Sequence, residues 1–267
     1  MSSRTLRSRD AQTAPGRAPR DARQVFNALM PPALRGAALD LPMRLQSLPA
    51  RTPLPAPGSL EPEVQIVESG WVGTRAAVSD RMRPLCHLSI RGDTVGLSGL
   101  ASAPGGPPAD GAASAEQHIT LTACELVSVP LSALRRLVDT DAGWRHFVLS
   151  ELVRQLRTHH LMHAVTGGMV APDRLIHFLY LMLVRHRGAT QSTTARLPMP
   201  LTQGEIGEVL GLTNVSVNRA FRTLEGKEML ESARDSVTLL REASWVADLK
   251  LAHPPDTLGR HYGRIIG

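Results

Sequence analysis

Residues 201–230, LTQGEIGEVLGLTNVSVNRAFRTLEGKEML, read as two short helices joined by a tight turn. Thr202 has the side chain of an N-cap, and Glu205 three residues on completes a capping box, so the first helix starts with its leading amides satisfied. Ile206, Val209 and Leu210 fall on one face at helical spacing. Gly211 ends that helix, because the left-handed conformation of a helix C-terminus carries no Cβ penalty in glycine. Thr213 caps the second helix, whose apolar stripe is Val217, Ala220, Phe221 and Leu224. Asn214, Val215, Ser216, Asn218 and Arg219 are left facing outward at its start. Short amides, a hydroxyl and an Arg match the hydrogen-bonding edges of bases in a major groove. The pattern is therefore a helix-turn-helix, and double-stranded DNA is the expected partner.

Two amphipathic helices with a Gly turn also occur in ordinary helical cores. DNA is favoured here because the second helix starts polar, where simple packing needs no particular chemistry. It is also followed by SVTLLREASWVADL (residues 236–249), which reads as a β-wing and a closing helix. The 267 residues have room for two modest domains, with 30 Lys and Arg against 24 Asp and Glu. The net charge of +6 is carried almost entirely by Arg, whose planar fork suits guanine edges and phosphates. No apolar run is long enough to span a bilayer, and the N-terminus lacks the apolar core of a secretory signal, so a cytoplasmic protein with no membrane partner is expected. Cys86 and Cys124 sit in strand-like segments and are expected to be buried free thiols.

Upstream of the helix-turn-helix the pattern changes twice. Residues 1–24 are rich in Arg, Ser, Ala and Pro and read as a flexible basic arm. Residues 25–48 show a short helical pattern broken by prolines, and the Pro-rich 49–62 stretch is irregular. VQIVESGWVGTRAAV, LCHLSIRGDTVGLSGL and HITLTACELVSVP alternate apolar and polar residues and predict an antiparallel, jelly-roll-like β-roll over 25–138, with 103–115 as a mobile loop. Asp93, in RGDTVGL, reads as a turn residue. Asp141 caps a long helix over 139–166 in which Leu149, Leu152, Leu156, His159 or His160, and His163 recur at coiled-coil spacing, predicting a homodimer seam with His159 among its residues. The alternative is that this stripe covers the chain's own β-domain. Pro172 opens a further helix, a polar linker spans 188–196, and the winged helix-turn-helix domain is expected over 167–250 with a tail at 251–267. The class is α+β.

His159, His160 and His163 have the spacing of ligands on one helix face, but they are better read as polar residues at the end of a seam. No carboxylate pair, nucleophile–base set or glycine-rich phosphate loop stands out, so no catalytic residue, no metal and no cofactor is expected.

A β-roll, a long dimerising helix and a C-terminal winged helix-turn-helix together resemble the Crp-Fnr family of bacterial transcription regulators. LTQGEIGEVLGLTNVSVNRAFRTLEGKEML carries the resemblance most specifically; SGWVGTR, LSIRGDTVGLSGL and TLTACELVSVP resemble successive strands of the family's sensor domain. The resemblance places base reading on Asn214, Val215, Ser216 and Arg219, with Arg219 at the position of an arginine that reads guanine. Asn214 and Val215 stand where other members carry Arg and Glu, implying a different half-site. Thr202, Gln203, Thr213, Asn218 and Arg222 complete the expected DNA-binding set. RNA polymerase is an implied partner. Leu97 falls where cyclic-AMP binders have a ribose-holding Glu, and Ser114 and Ala115 where they have an Arg-Ser pair. No cluster of cysteines lies near the N-terminus, as it does in members with an iron–sulfur cluster. The usual cyclic-AMP and iron–sulfur ligands are thus missing, and the identity of any small-molecule effector is open. The alternative function is a ligand-binding sensor of the same fold that does not bind DNA.

Overall fold

The computed structural model describes residues 21–55, 62–79, 81–101 and 116–244. Most of the expected basic arm, the 103–115 loop, Ser114 and Ala115, the closing helix after the wing and the tail lie outside them.

Two antiparallel sheets form the N-terminal β-roll. The first has the order β1 (Arg44–Leu48), β7 (Cys124–Pro130), β2 (Glu63–Ser69), β5 (Thr94–Val95). The second has the order β4 (Leu85–Ser89), β3 (Val72–Ala76), β6 (Glu116–Thr120). The 25–48 segment divides differently from its sequence pattern. Helices α1 (Ala22–Leu29) and α2 (Pro32–Arg35) occupy its first half, but Arg44–Leu48 is a strand paired along its length with β7. The start of α1 also orders the last residues assigned to the arm, with Arg23 donating to the carbonyls of Ala38 and Leu41.

Val64, Ile66, Val127 and Val129 of the four-stranded sheet pack against Phe26, Leu34, Trp144, Phe147 and Val148. Trp144 anchors this core: its ring stacks 6.0 Å from Phe26, meets Phe147 edge-on at 5.4 Å, and donates Nε1–H to the Leu34 carbonyl at 3.1 Å. Leu97, in a short 3₁₀ turn, is buried in the same core. Of the two thiols, Cys124 is buried as expected, whereas Cys86 is an exposed residue because its side chain falls on the outer face of β4.

After α3 (Leu131–Thr140), Asp141 accepts from the Trp144 amide at 2.8 Å and caps α4 (Ala142–Gly168), 27 residues and about 40 Å long. The helix continues through Gly167 and Gly168. Helix α5 (Ala171–Thr190) starts with Pro172 in its first turn, and its Leu175, Ile176, Leu179 and Leu183 are fully buried. The 188–196 linker is shorter than its composition suggests, since α5 runs to Thr190 and Arg196–Pro198 forms a strand, β8. Helices α6 (Gln203–Leu210) and α7 (Asn214–Gly226) follow, then β9 (Leu230–Ala233) and β10 (Ser236–Leu239). The wing is a three-stranded sheet in the order β8-β10-β9. No helix among the described residues is long and apolar enough to cross a membrane.

Candidate nucleic-acid interface

Local chemistry builds the helix-turn-helix. Thr202 Oγ1 accepts from the Glu205 amide at 3.2 Å while a Glu205 carboxylate oxygen accepts from the Thr202 amide at 2.9 Å, so the capping box is closed in both directions. Gly211 has φ +62° and turns the chain. A Cβ on Gly207 would sit 2.5 Å from the Leu212 carbonyl oxygen, so only glycine lets the turn fold back this tightly. Thr213 Oγ1 then accepts from the Ser216 amide at 3.2 Å and caps α7. Val217, Ala220 and Leu224 are buried against α5 and α6.

This packing leaves the other side of α7 open. Gln203, Asn214, Val215, Asn218, Arg219 and Arg222 line one open cleft of about 430 Å3. Asn218 donates to the Gln203 side-chain oxygen at 3.4 Å, which ties the start of α6 to the reading face of α7. Val215 is 68% exposed, which leaves its methyl groups open to contact with a thymine methyl. The remaining three residues expected to bind DNA are used locally: the hydroxyls of Thr202 and Thr213 serve as caps, and Ser216 is hydrogen-bonded to Thr213 at 2.9 Å. Sequence reasoning missed Arg234. It sits in the two-residue turn between β9 and β10 and borders a second cleft of about 290 Å3 shared with Arg222 and Ser232. Its signal was the hairpin in SARDS, visible only once the wing's register is known.

The expected dimer residues lie on α4. Leu149, Leu152, Val153 and Leu156 are exposed large apolar residues along one face, and His163 is exposed beyond them. His159 lies at the edge of that face, with its ring 4.8 Å from the ring of His87 on β4.

The β-roll and the helix-turn-helix domain share a core: Trp71, Leu85, Leu88, Ile90 and Leu121 of the roll pack with α5, α6 and α7. A buried ionic network crosses the same junction. Asp93 accepts from Arg185 of α5 at 2.6 Å, from Arg154 of α4 at 2.8 Å and from its own turn at the Ile90 amide at 2.7 Å. Burial alone would raise the Asp93 pKa, but the two guanidinium groups and that amide hold its carboxyl below the ordinary 3.8. Arg154 also pairs with Glu151, and Arg185 donates to the Leu88 carbonyl at 3.0 Å.

His87 sits beside this network. Burial first, then the charges of Arg185, His159 and Arg154, push it down from 6.5 to about 3, and its Nε2 is shielded with no hydrogen-bond partner among the described residues. The unfolded chain therefore binds a proton at His87 below pH 6.5 that the folded chain refuses. Stability from this group is complete above pH 6.5 and is lost as pH falls, with a slope approaching about 1.4 kcal/mol per pH unit for one proton. Thermal unfolding from pH 7.5 to 5 should show a falling midpoint, and His87→Phe should flatten that fall. An equally steep fall in the variant would assign the proton to other groups.

The family profile described as the Crp-like helix-turn-helix domain matches residues 173–244. Among solved structures, FixK2 from Bradyrhizobium japonicum is similar with a TM-score of 0.64 at 20% identity, covering 79% of this chain and 99% of that one. The CRP-family transcriptional regulator TTHB099 from Thermus thermophilus gives 0.58 at 16% identity, covering 78% and 97%. The c-di-GMP responsive global regulator CLP of Xanthomonas campestris gives 0.56 at 18% identity, covering 82% and 97%. No curated protein sequence matches the chain. At these identities the likeness establishes the fold: the chain has the architecture of the Crp/Fnr regulators, and its C-terminal domain is a Crp-like helix-turn-helix domain.

Proposed function

We propose that this chain, with the Crp/Fnr fold and a Crp-like helix-turn-helix domain at residues 173–244, is a transcription regulator that reads an inverted-repeat DNA site as a homodimer. The open cleft carries this reading. It gathers two amides on Asn214 and Asn218, a guanidinium on Arg219 and an apolar contact on Val215 at the exposed start of α7. In this reading Arg219 takes a guanine edge, with Gln203, Arg222 and the wing's Arg234 on phosphates to either side. Two copies of α7 related by a two-fold axis along α4 would read half-sites one helical turn apart. RNA polymerase is the partner through which such a reader would act.

The sensor-like domain has its own bearing on the function. Leu97, which the resemblance sets at the position of a ribose-holding Glu, is buried among apolar side chains, and this supports a reading in which cyclic AMP is not held in that manner.

Arg219→Ala tests the proposal. Discrimination between a selected site and scrambled DNA should fall by about 5- to 150-fold, equivalent to about 1–3 kcal/mol for one bidentate base contact, with dimerisation intact. Gel-shift titrations at fixed salt give the ratio. Unchanged discrimination removes Arg219 from the reading head. If the unaltered protein retains no DNA in a sequence-dependent way, the chain is instead a sensor of this fold without DNA binding.

A further inference from the structure

Helix α6 does more than support the recognition helix. Glu205, already the capping-box acid, also accepts from both terminal guanidinium nitrogens of Arg51, 154 residues earlier, from Nη2 at 3.2 Å. One turn later Glu208 accepts from Arg75 Nη1 and from the Leu85 amide, each at 2.8 Å. Arg75 and Leu85 lie where the β3–β4 ladder shifts register, and Arg75 also donates to the Arg83 carbonyl at 2.9 Å. Arg51 sits at φ +63°, a conformation rare for a side chain of this size, with its amide bonded to the Thr120 carbonyl at 2.6 Å. The β-roll thus presents two arginines and a backbone amide to two carboxylates on the first helix of the helix-turn-helix.

We propose that Arg51 and Arg75 are positioning residues for DNA reading, which rests on the function proposed above. By holding α6 against the roll they fix the angle of the α6–α7 pair relative to α4. In the dimer that angle sets the separation and twist of the two recognition helices, and hence the half-site spacing that fits. An autoinhibitory contact would cover either the reading face or the dimer face. Here both are open with the contacts made: Val215 and Arg219 are exposed on α7 while Leu149 and Leu156 are exposed on α4. A mismatch of one base pair in spacing moves a half-site by about 3.4 Å and turns it by about 34°, more than a fixed pair of helices can follow.

The test uses the full chain and leaves every DNA-facing residue unchanged. Sites are selected from a random pool with the unaltered protein, and affinities are measured for the best inverted repeat, for versions one base pair longer and shorter, and for a single half-site. Arg51→Ala with Arg75→Ala should lower affinity for the best spacing about tenfold, while the altered spacings come within about threefold of it and half-site binding holds. Arg51→Lys with Arg75→Lys, which keeps both charges, should restore most of the spacing preference and guards against misfolding of the alanine pair. A uniform loss at all spacings and on the half-site, an unchanged spacing preference, or tighter binding at the best site would each overturn the proposal. If the unaltered protein selects no inverted repeat, it is the proposed function that fails, and the spacing role falls with it.

Discussion

Asp93→Ala should destabilise the folded chain by about 3–5 kcal/mol, because it removes an acid that two arginines from different helices share in the interior. Arg185 and Asp93 are both buried, and their contact at 2.6 Å crosses from α5 to the β-roll. Without the carboxylate, Arg185 keeps the Leu88 carbonyl and the Met182 sulfur as its partners among the described residues, a poor exchange for a full charge away from water. Arg154 is better placed, since Glu151 remains beside it at 2.5 Å. The Ile90 amide also loses its acceptor, so the turn that brings β4 to β5 is weakened at the same time. Denaturant unfolding measures the loss. Asp93→Asn, which preserves a turn acceptor but not the charge, should fall between the two proteins. Adding Arg185→Met to Asp93→Ala should recover part of the loss, because removing both members of a buried pair costs less than stranding one. A loss under about 1 kcal/mol for Asp93→Ala would mean that water reaches the arginines when the acid is gone.

Asp93 also marks where the sequence stops being legible. As a turn residue it was readable from RGDTVGL, since a short acidic side chain bonding its own turn is a local event. Its partners were not, because Arg185 lies 92 residues away and Arg154 lies 61 away. Glu205 divides in the same way. Its role in the capping box follows from Thr202 three positions earlier, whereas its ion pair with Arg51 depends on how two domains meet. The helix-turn-helix was the most legible part because caps, glycine turns and the 3.6-residue period are all local rules. Strand β1 was hidden for the opposite reason. RLQSL is too short to show an alternating pattern of its own and becomes a strand by pairing with β7, about 80 residues on. The three-residue strand β8 was likewise lost in a polar linker, since only its pairing with β10 gives it a register. Within the site, the outward set on α7 was readable, but the division between capping hydroxyls on Thr202 and Thr213 and open side chains needed coordinates.

Leu152→Asp with Leu156→Asp should convert a dimer to monomers while leaving the fold of each chain in place. Leu149, Leu152 and Leu156 are 57%, 39% and 52% exposed on one side of α4, while Trp144, Phe147, Val148 and Glu151 on its other side are buried. A row of large apolar side chains held in water along a helix is the signature of a surface meant to be covered. A second copy of α4 fits the coiled-coil spacing of that row. His159 would stand at the limit of such a seam, because its ring lies 4.8 Å from that of His87. The two new charges land on the solvent side of the helix, where substitutions change stability by only about half a kcal/mol, so the isolated chain should unfold near its usual midpoint. In the dimer they would face each other across a desolvated seam, and association should fail. Light scattering reads the mass directly. The consequence for DNA is larger than any single base contact. Two linked reading heads bind a two-half-site target as one event, with an effective local concentration that raises affinity by about 100- to 10,000-fold over one head alone. Monomers should lose that factor on an inverted repeat and bind a single half-site as before. A variant that stays dimeric would place the interface on another surface. One that turns monomeric with full affinity for the repeat would mean that each head binds independently.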